Sequence, residues 1–197
     1  TNDYLKVITD STLLSGLPES AITAAKETAQ EKGVEGWAFT LHAPSYVPVM
    51  TYADNRDLRK EIYMAYNTQC THDNEHNNLD VVKELANTRM EVAQLLGYKD
   101  YASYMLEDRM AQNSEAVYNL LNQLLDAYTP TAKKEYAEVQ ALARKEVGSN
   151  FELMPWDWSY YSNKLKNEKY QINDEMLRPY FELSNVKKGV FGLATKL

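Results

Sequence analysis

The sequence has a single cysteine, Cys70, so no disulfide can form within the chain. That fits a reducing compartment and makes a cytoplasmic location the expectation. Positive charge is also scarce: 21 Lys and Arg against 28 Asp and Glu leave a net charge of -7. General binding to a phosphate backbone, which needs clustered bases, is excluded on that ground. No apolar run reaches the length of a membrane span. No repeat of fixed period, the mark of a helical solenoid, runs through the chain. Histidine is rare too, with three in all. What remains is 197 residues, enough to bury a sizeable core in one or two domains.

The helix signals are abundant. Pro18 to Lys32 opens with Pro and Glu19 in the first turn and is followed by Gly33, which predicts a helix. Residues 45–53 and 54–69 read as two short helices, the second with Leu58, Ile62, Ala65 and Tyr66 on one face. Asn78 is placed to cap a helix striped by Leu79, Val82, Leu85, Ala86, Ala93 and Leu96 and closed by Gly97. A short helix follows over Asp100 to Met110. A long one runs from about Ser114 to Val147, with Val117, Leu120, Leu121, Leu124, Tyr128, Ala132, Tyr136, Val139 and Leu142 as its apolar face. Pro130 lies inside it, where a kink or break is expected. Asp157 is placed to cap a helix bearing Trp158, Tyr161 and Leu165, and Asn173 another that runs through Leu183. Residues 36–42, Gly-Trp-Ala-Phe-Thr-Leu-His, alternate as a strand does. One strand needs a partner, expected to be short or to lie outside the chain. The fold class is therefore all-α, with one possible short strand or hairpin near 36–42.

The ends carry a further expectation. The chain opens on Thr1-Asn2-Asp3, with neither an initiator Met nor a signal region. At the other end Val186, Val190, Leu193, Ala194 and Leu197 recur at helical spacing with no stop signal after them. This reads as a piece of a longer protein.

His72-Asp73-Asn74-Glu75-His76 has the H-x-x-E-H form of an inverted zinc-protease signature. Such a site needs a rigid helix, anchored by an apolar back face, to hold both imidazoles in tetrahedral geometry. No apolar residue lies between Cys70 and Leu79, and Asn, Asp and Thr there favour turns and caps. His42 is the only other histidine available as a third ligand. The stretch is expected to be a polar loop ending in an N-cap. Cys70 has neither a positioned base nor an oxyanion site suggested near it, and reads as a helix-end thiol. Pro155-Trp156-Asp157-Trp158-Ser159-Tyr160-Tyr161 reads as core packing with an Asp cap. Arg59 and Arg89 lie on or beside apolar faces, so each is expected to pair with a carboxylate. Glu107 and Asp108 are neighbours about 100° apart on a helix, so they do not aim at one point as a catalytic pair would. No residue is assigned as catalytic or as a metal ligand. Arg59, Arg89, Trp156 and Asp157 are structural candidates, and substrate-binding residues are undefined.

Several short patterns add up along the chain: Gly16-Leu17-Pro18-Glu19-Ser20, Gly33-Val34-Glu35-Gly36-Trp37, Leu95-Leu96-Gly97-Tyr98, Arg109-Met110-Ala111, Pro155-Trp156-Asp157-Trp158 and Pro179-Tyr180-Phe181-Glu182-Leu183. In this order and rough spacing the chain resembles the thimet-oligopeptidase-like zinc metallopeptidases, and within them most the peptidyl-dipeptidases, which release C-terminal dipeptides. The resemblance implies an elongated helical enzyme with a deep channel and peptides as substrates. Its zinc would be held by an H-E-x-x-H helix and a downstream Glu. No His-Glu dipeptide occurs here, so zinc belongs to the parent enzyme and none is expected in this segment. Residues 1–197 would then be a single helical segment, the start of the peptidase domain and the region before it, forming channel wall. Such a segment, inactive alone, would expose apolar faces and self-associate. The rival expectation is a helical binding or scaffold module without chemistry.

Overall fold

The computed structural model describes residues 4–171 and 174–197. Helices dominate, accompanied by one two-stranded sheet. The described residues group into two compact units. One takes in the chain up to Ala65 and from Val139 onward; the other is Tyr66–Glu138.

The expected strand is β2, Trp37–Phe39, and its partner is short. That partner is β1, Lys6–Ile8, paired antiparallel with Lys6 opposite Phe39 and Ile8 opposite Trp37. Gly36 makes the approach possible. Its φ is +98°, and a Cβ there would sit 2.2 Å from the Ile8 carbonyl oxygen, so only glycine fits.

Helix α1, Glu19–Glu31, begins one residue after Pro18 and stops where Gly33 turns left-handed, with the Val34 amide donating back to the Ala29 carbonyl at 2.9 Å. It lays Ala25 and Ala29 against β2. Helices α2, Ala43–Tyr52, and α3, Arg56–Asn67, follow. Ile8, Leu14, Phe39, Leu41, Val49, Leu58 and Ile62 close the first core. Asn55 starts α3 by accepting from the Leu58 amide at 2.9 Å.

The second core joins the end of α6, Ser114–Val147, to α7, Trp158–Tyr170. Val139 and Ala143 meet Leu153, Tyr160 and Tyr161. Gln140, although polar, is buried because it holds the intervening loop. Its amide donates to the Phe151 carbonyl at 2.9 Å and its oxygen accepts from the Leu153 amide at 3.0 Å. Helix α7 also packs on α2. Beyond it lie α8, Asp174–Leu177, a 3-10 turn over Arg178–Phe181, and α9, Leu183–Lys196. The cap expected at Asn173 lies outside the described residues.

In the other unit, α4, Leu79–Leu95, packs on α5, Tyr101–Leu106. Asp100 caps α5, accepting from the Ser103 amide at 2.7 Å. Asn78 is the N-cap residue of α4 as expected, but its side chain makes no cap bond; the neighbouring Asn77 accepts from the Leu79 amide at 2.9 Å. The α4 stripe is as regular as its spacing predicts, yet of it only Ala93 is buried, and Leu79, Val82 and Leu85 are exposed. The same holds for Leu120, Leu121, Leu124 and Tyr128 on α6, whose face is half-buried at Val117 and fully buried only at Val139. Helix α6 does not break at Pro130. One residue earlier, the Thr129 hydroxyl donates to the Leu125 carbonyl at 2.6 Å.

Candidate functional site

The charged cluster that the fold buries is centred on Arg59 and Asp157, 98 residues apart in sequence. Helix α3 presents Arg59 on its buried face between Leu58 and Ile62. A guanidinium survives there because its hydrogen-bonding capacity is met. Nη1 donates to the carbonyls of Ala53 at 2.7 Å and Asp54 at 3.2 Å, and Nε to that of Trp156 at 3.2 Å. Nη2 meets Asp157 at 2.8 Å, and the Tyr160 ring lies 4.1 Å from the guanidinium carbon. Arg59 thereby closes the C-terminal end of α2, whose last carbonyls lack partners within the helix.

Asp157 is fully buried. It accepts from Arg59, from Arg56 Nη2 at 2.7 Å and from the Met154 amide at 3.0 Å. Burial alone would raise its carboxyl, but the hydrogen bonds from Arg56, Arg59 and the Met154 amide outweigh it and hold the group below the usual carboxylate range. The cap expected from Asp157 is thus redirected. Its side chain makes no bond to the first amides of α7 and instead closes the 3-10 turn Pro155–Asp157 ahead of that helix. Beside it, Asp54 accepts from the Ser15 hydroxyl at 2.6 Å and the Tyr160 hydroxyl at 2.8 Å. The Ser15 bond, ahead of the smaller contribution from Tyr160, lowers its carboxyl against the opposing effect of burial.

Of the four structural candidates, three meet here. Trp156 lends its carbonyl to Arg59, while its ring takes Tyr63 edge-on at 6.2 Å and Lys60 at 5.3 Å. Arg89 is elsewhere. It lies on α4 over the Tyr101 ring at 5.2 Å, an aromatic partner where a carboxylate was expected. Tyr160 belongs to the aromatic run read as core packing, and it is buried; Arg56, Asp54 and Ser15 were not singled out by sequence. Of those three, Arg56 alone left a signal, lying three residues before Arg59 and so on the same side of α3. Arg59, Arg56, Asp157, Asp54, Ser15 and Tyr160 have donors and acceptors matched to one another, whereas the buried indole N–H of Trp156 has no partner. The cluster is a latch that ties residues 53–59 to residues 152–160.

The remaining candidates carry no assembled chemistry. His72 to His76 form bends and turns, so the two imidazoles do not share a helix face. His72 Nε2 lies 3.1 Å from the Thr68 hydroxyl, and exposed His76 is 3.7 Å from exposed Glu75. Among the described residues, no three His, Cys, Asp or Glu side chains gather as metal ligands. The described residues therefore offer no ligand set that fits a zinc ion. Cys70 is exposed, in a left-handed turn. Glu107 accepts from the Tyr98 hydroxyl. A cavity of about 150 Å³ opens between α1, β2 and the start of α2, lined by Ala24, Ala25, Phe39, His42 and Ser45. Its polar groups are turned to each other, the Ser45 hydroxyl accepting from the Thr40 amide at 2.9 Å. No described helix is long and apolar enough to cross a membrane.

Comparison with known proteins gives a context that the latch alone does not. Residues 49–197 match Peptidase family M3. The whole chain is 42% identical to oligopeptidase A of Escherichia coli (strain K12), of which it spans 29%. It is 36% identical, again over its whole length, to the organellar oligopeptidase A of Arabidopsis thaliana, spanning 26% of that protein. Over 97% of its length it is 32% identical to dipeptidyl carboxypeptidase of Escherichia coli (strain K12), spanning 28%. The chain therefore spans less than a third of the length of these relatives.

Proposed function

The chain belongs to Peptidase family M3, and from that premise we propose that it is a non-catalytic helical part of a zinc-dependent peptidase acting on oligopeptides. The observation that carries this reading is its match, over its full length at 42% identity, to an oligopeptidase A of which it spans only 29%. Zinc enters through the resemblance to the metallopeptidases. Because the residues described here do not fit it, its ligands are assigned to the rest of the parent polypeptide. The role left for this chain is mechanical. The Arg59–Asp157 latch and the two cores it joins make one unit a stiff support, as a wall around a reaction channel must be.

A second reading, release of C-terminal dipeptides, draws on the same family. The 32% identity to a dipeptidyl carboxypeptidase supports it, and the sequence patterns point that way. The higher identity to the oligopeptidase A proteins favours the first. The products formed by the full-length parent from a ten-residue peptide separate the two. Stepwise loss of C-terminal dipeptides supports the second reading, and internal cleavage the first. In either case the 197-residue chain is expected to leave the peptide intact, and a chelator is expected to stop the parent. Turnover that co-elutes with the short chain on a sizing column would sink the proposal.

The exposed faces of α4 and α6 give a further expected result. In isolation the chain should associate with itself to cover Leu79, Val82, Leu85, Leu120 and Leu121. Light scattering over a hundredfold concentration range should show a rising mass, and a constant monomer mass would count against it.

A further inference from the structure

Helix α6 carries, in its middle, the start signal of a second helix. Thr129-Pro130 sets a favoured N-cap residue directly before a residue suited to the first helical position. In the continuous helix the same pair is a weakness. Pro130 has no N–H to give the Asp126 carbonyl, and its ring crowds that carbonyl. The Thr129 hydroxyl is turned backwards, onto the Leu125 carbonyl at 2.6 Å.

The two sides of this pair are held very unequally. On the C-terminal side, Val139 and Ala143 are buried against Leu153, Tyr160 and Tyr161. Gln140 bonds the Phe151 carbonyl and the Leu153 amide, and Arg144 Nε donates to the Phe151 carbonyl at 3.0 Å. On the N-terminal side every residue from Tyr118 to Tyr128 is exposed. That side also has a start of its own, because the Asn113 side chain accepts from the Ala116 amide at 2.9 Å. Taken alone, Ser114–Tyr128 falls within the length, up to about 12–15 residues, that is marginal in water without tertiary support.

Unwinding of the N-terminal side would leave the rest ready to stand. The amides of Thr131 and Ala132 would lose their carbonyl partners one turn back, at Ala127 and Tyr128. Thr129, released from Leu125, can accept from one of them as an N-cap, and Pro130 needs no partner at all.

We infer that Thr129-Pro130 is a built-in seam at which α6 opens: Ser114–Tyr128 unwinds while Pro130–Val147 stays helical, and Thr129 changes from a back-bonded residue to an N-cap. The seam is a property of the helix and stands apart from the peptidase reading. Amide exchange resolved by residue in the 197-residue chain tests it, at concentrations where light scattering gives a monomer mass. Amides 118–128 should exchange within about tenfold of a free peptide, and those from Ala132 onward at least about tenfold slower, so that the step falls at the seam. Pro130→Ala restores the missing hydrogen bond at an exposed position. It should slow amides 118–128 by about 10- to 100-fold and leave those of α7 unchanged. A step at Val139, where burial begins, would show that packing alone sets the boundary and would overturn the seam. Equal protection on both sides of Pro130 would do the same, as would a Pro130→Ala variant that changes exchange nowhere or throughout the chain.

Discussion

Asp157→Ala is expected to cost the unit that contains it about 3–5 kcal/mol, because it removes one partner of a buried ion pair and strands the other. Arg59 would keep its three carbonyl acceptors, but it would lose its ion-pair partner and be left with the weaker influence of exposed Asp54. Arg56, partly exposed, can turn to water. The Met154 amide would lose its acceptor and the 3-10 turn ahead of α7 its closure. Since domain stabilities are about 5–15 kcal/mol in total, the variant should unfold at far lower urea concentration. The same carboxylate predicts an acid limb. Its folded pKa is lowered, so its contribution is fully present above the unfolded value of about 3.9 and is lost as pH falls through the folded one. Urea midpoints measured from pH 6 down to pH 2 should fall steeply below pH 4 in the wild type and less so in Asp157→Ala. Parallel curves would mean that other carboxylates carry the acid sensitivity.

Gly36→Ala should be nearly as costly, about 3 kcal/mol or more, for a reason unrelated to charge. Its left-handed backbone penalises any side chain by about 1–3 kcal/mol. In addition, the new Cβ would press on the Ile8 carbonyl at 2.2 Å. The two strands have three residues each, so they cannot move apart without losing the pairing altogether. Gly33→Ala is the internal control. Gly33 is also left-handed, with φ +68°, but no atom lies within 4 Å of the position a Cβ would take, so its cost should stay near 1 kcal/mol. Denaturant midpoints for the two variants separate clash from strain. Equal shifts would show that the Ile8 carbonyl yields easily.

The contrast between legible and hidden features follows from the range over which each is encoded. Helix α1 could be read because its start and stop, Pro18 and Gly33, are local chemistry. Strand β1 could not, since Lys6-Val7-Ile8 is too short to establish a period and derives its conformation from Trp37–Phe39 across a gap. Arg59 on an apolar face announced the need for a counter-charge. It could not announce Asp157, because nothing in the spacing of residues 98 apart records a contact. Asp157 looked like a helix cap, and its residue type was read correctly. Two arginines outcompeted the amides for its oxygens. On α4 and α6 the periodicity was accurate and the burial was not. A stripe records what a helix needs covered and is silent on whether the cover lies in the same stretch of chain.

The latch also bears on how the polypeptide comes into being. Arg59 and Asp157 are 98 residues apart, and a ribosome adds about 5–20 residues per second. For about 5–20 s, then, α3 is synthesised while its counter-ion does not yet exist. During that interval Arg59 has the carbonyls of Ala53 and Asp54 within its own neighbourhood. The nascent N-terminal part therefore waits, with Leu58 and Ile62 drawing it inward while Arg59, on the same helix face, has the Asp54 carboxylate nearby but not yet the ion-pair partner that the finished fold buries with it. Slowing translation between Glu75 and Phe151 would lengthen the wait, and with it the time during which a chaperone or a protease can reach the unfinished fold.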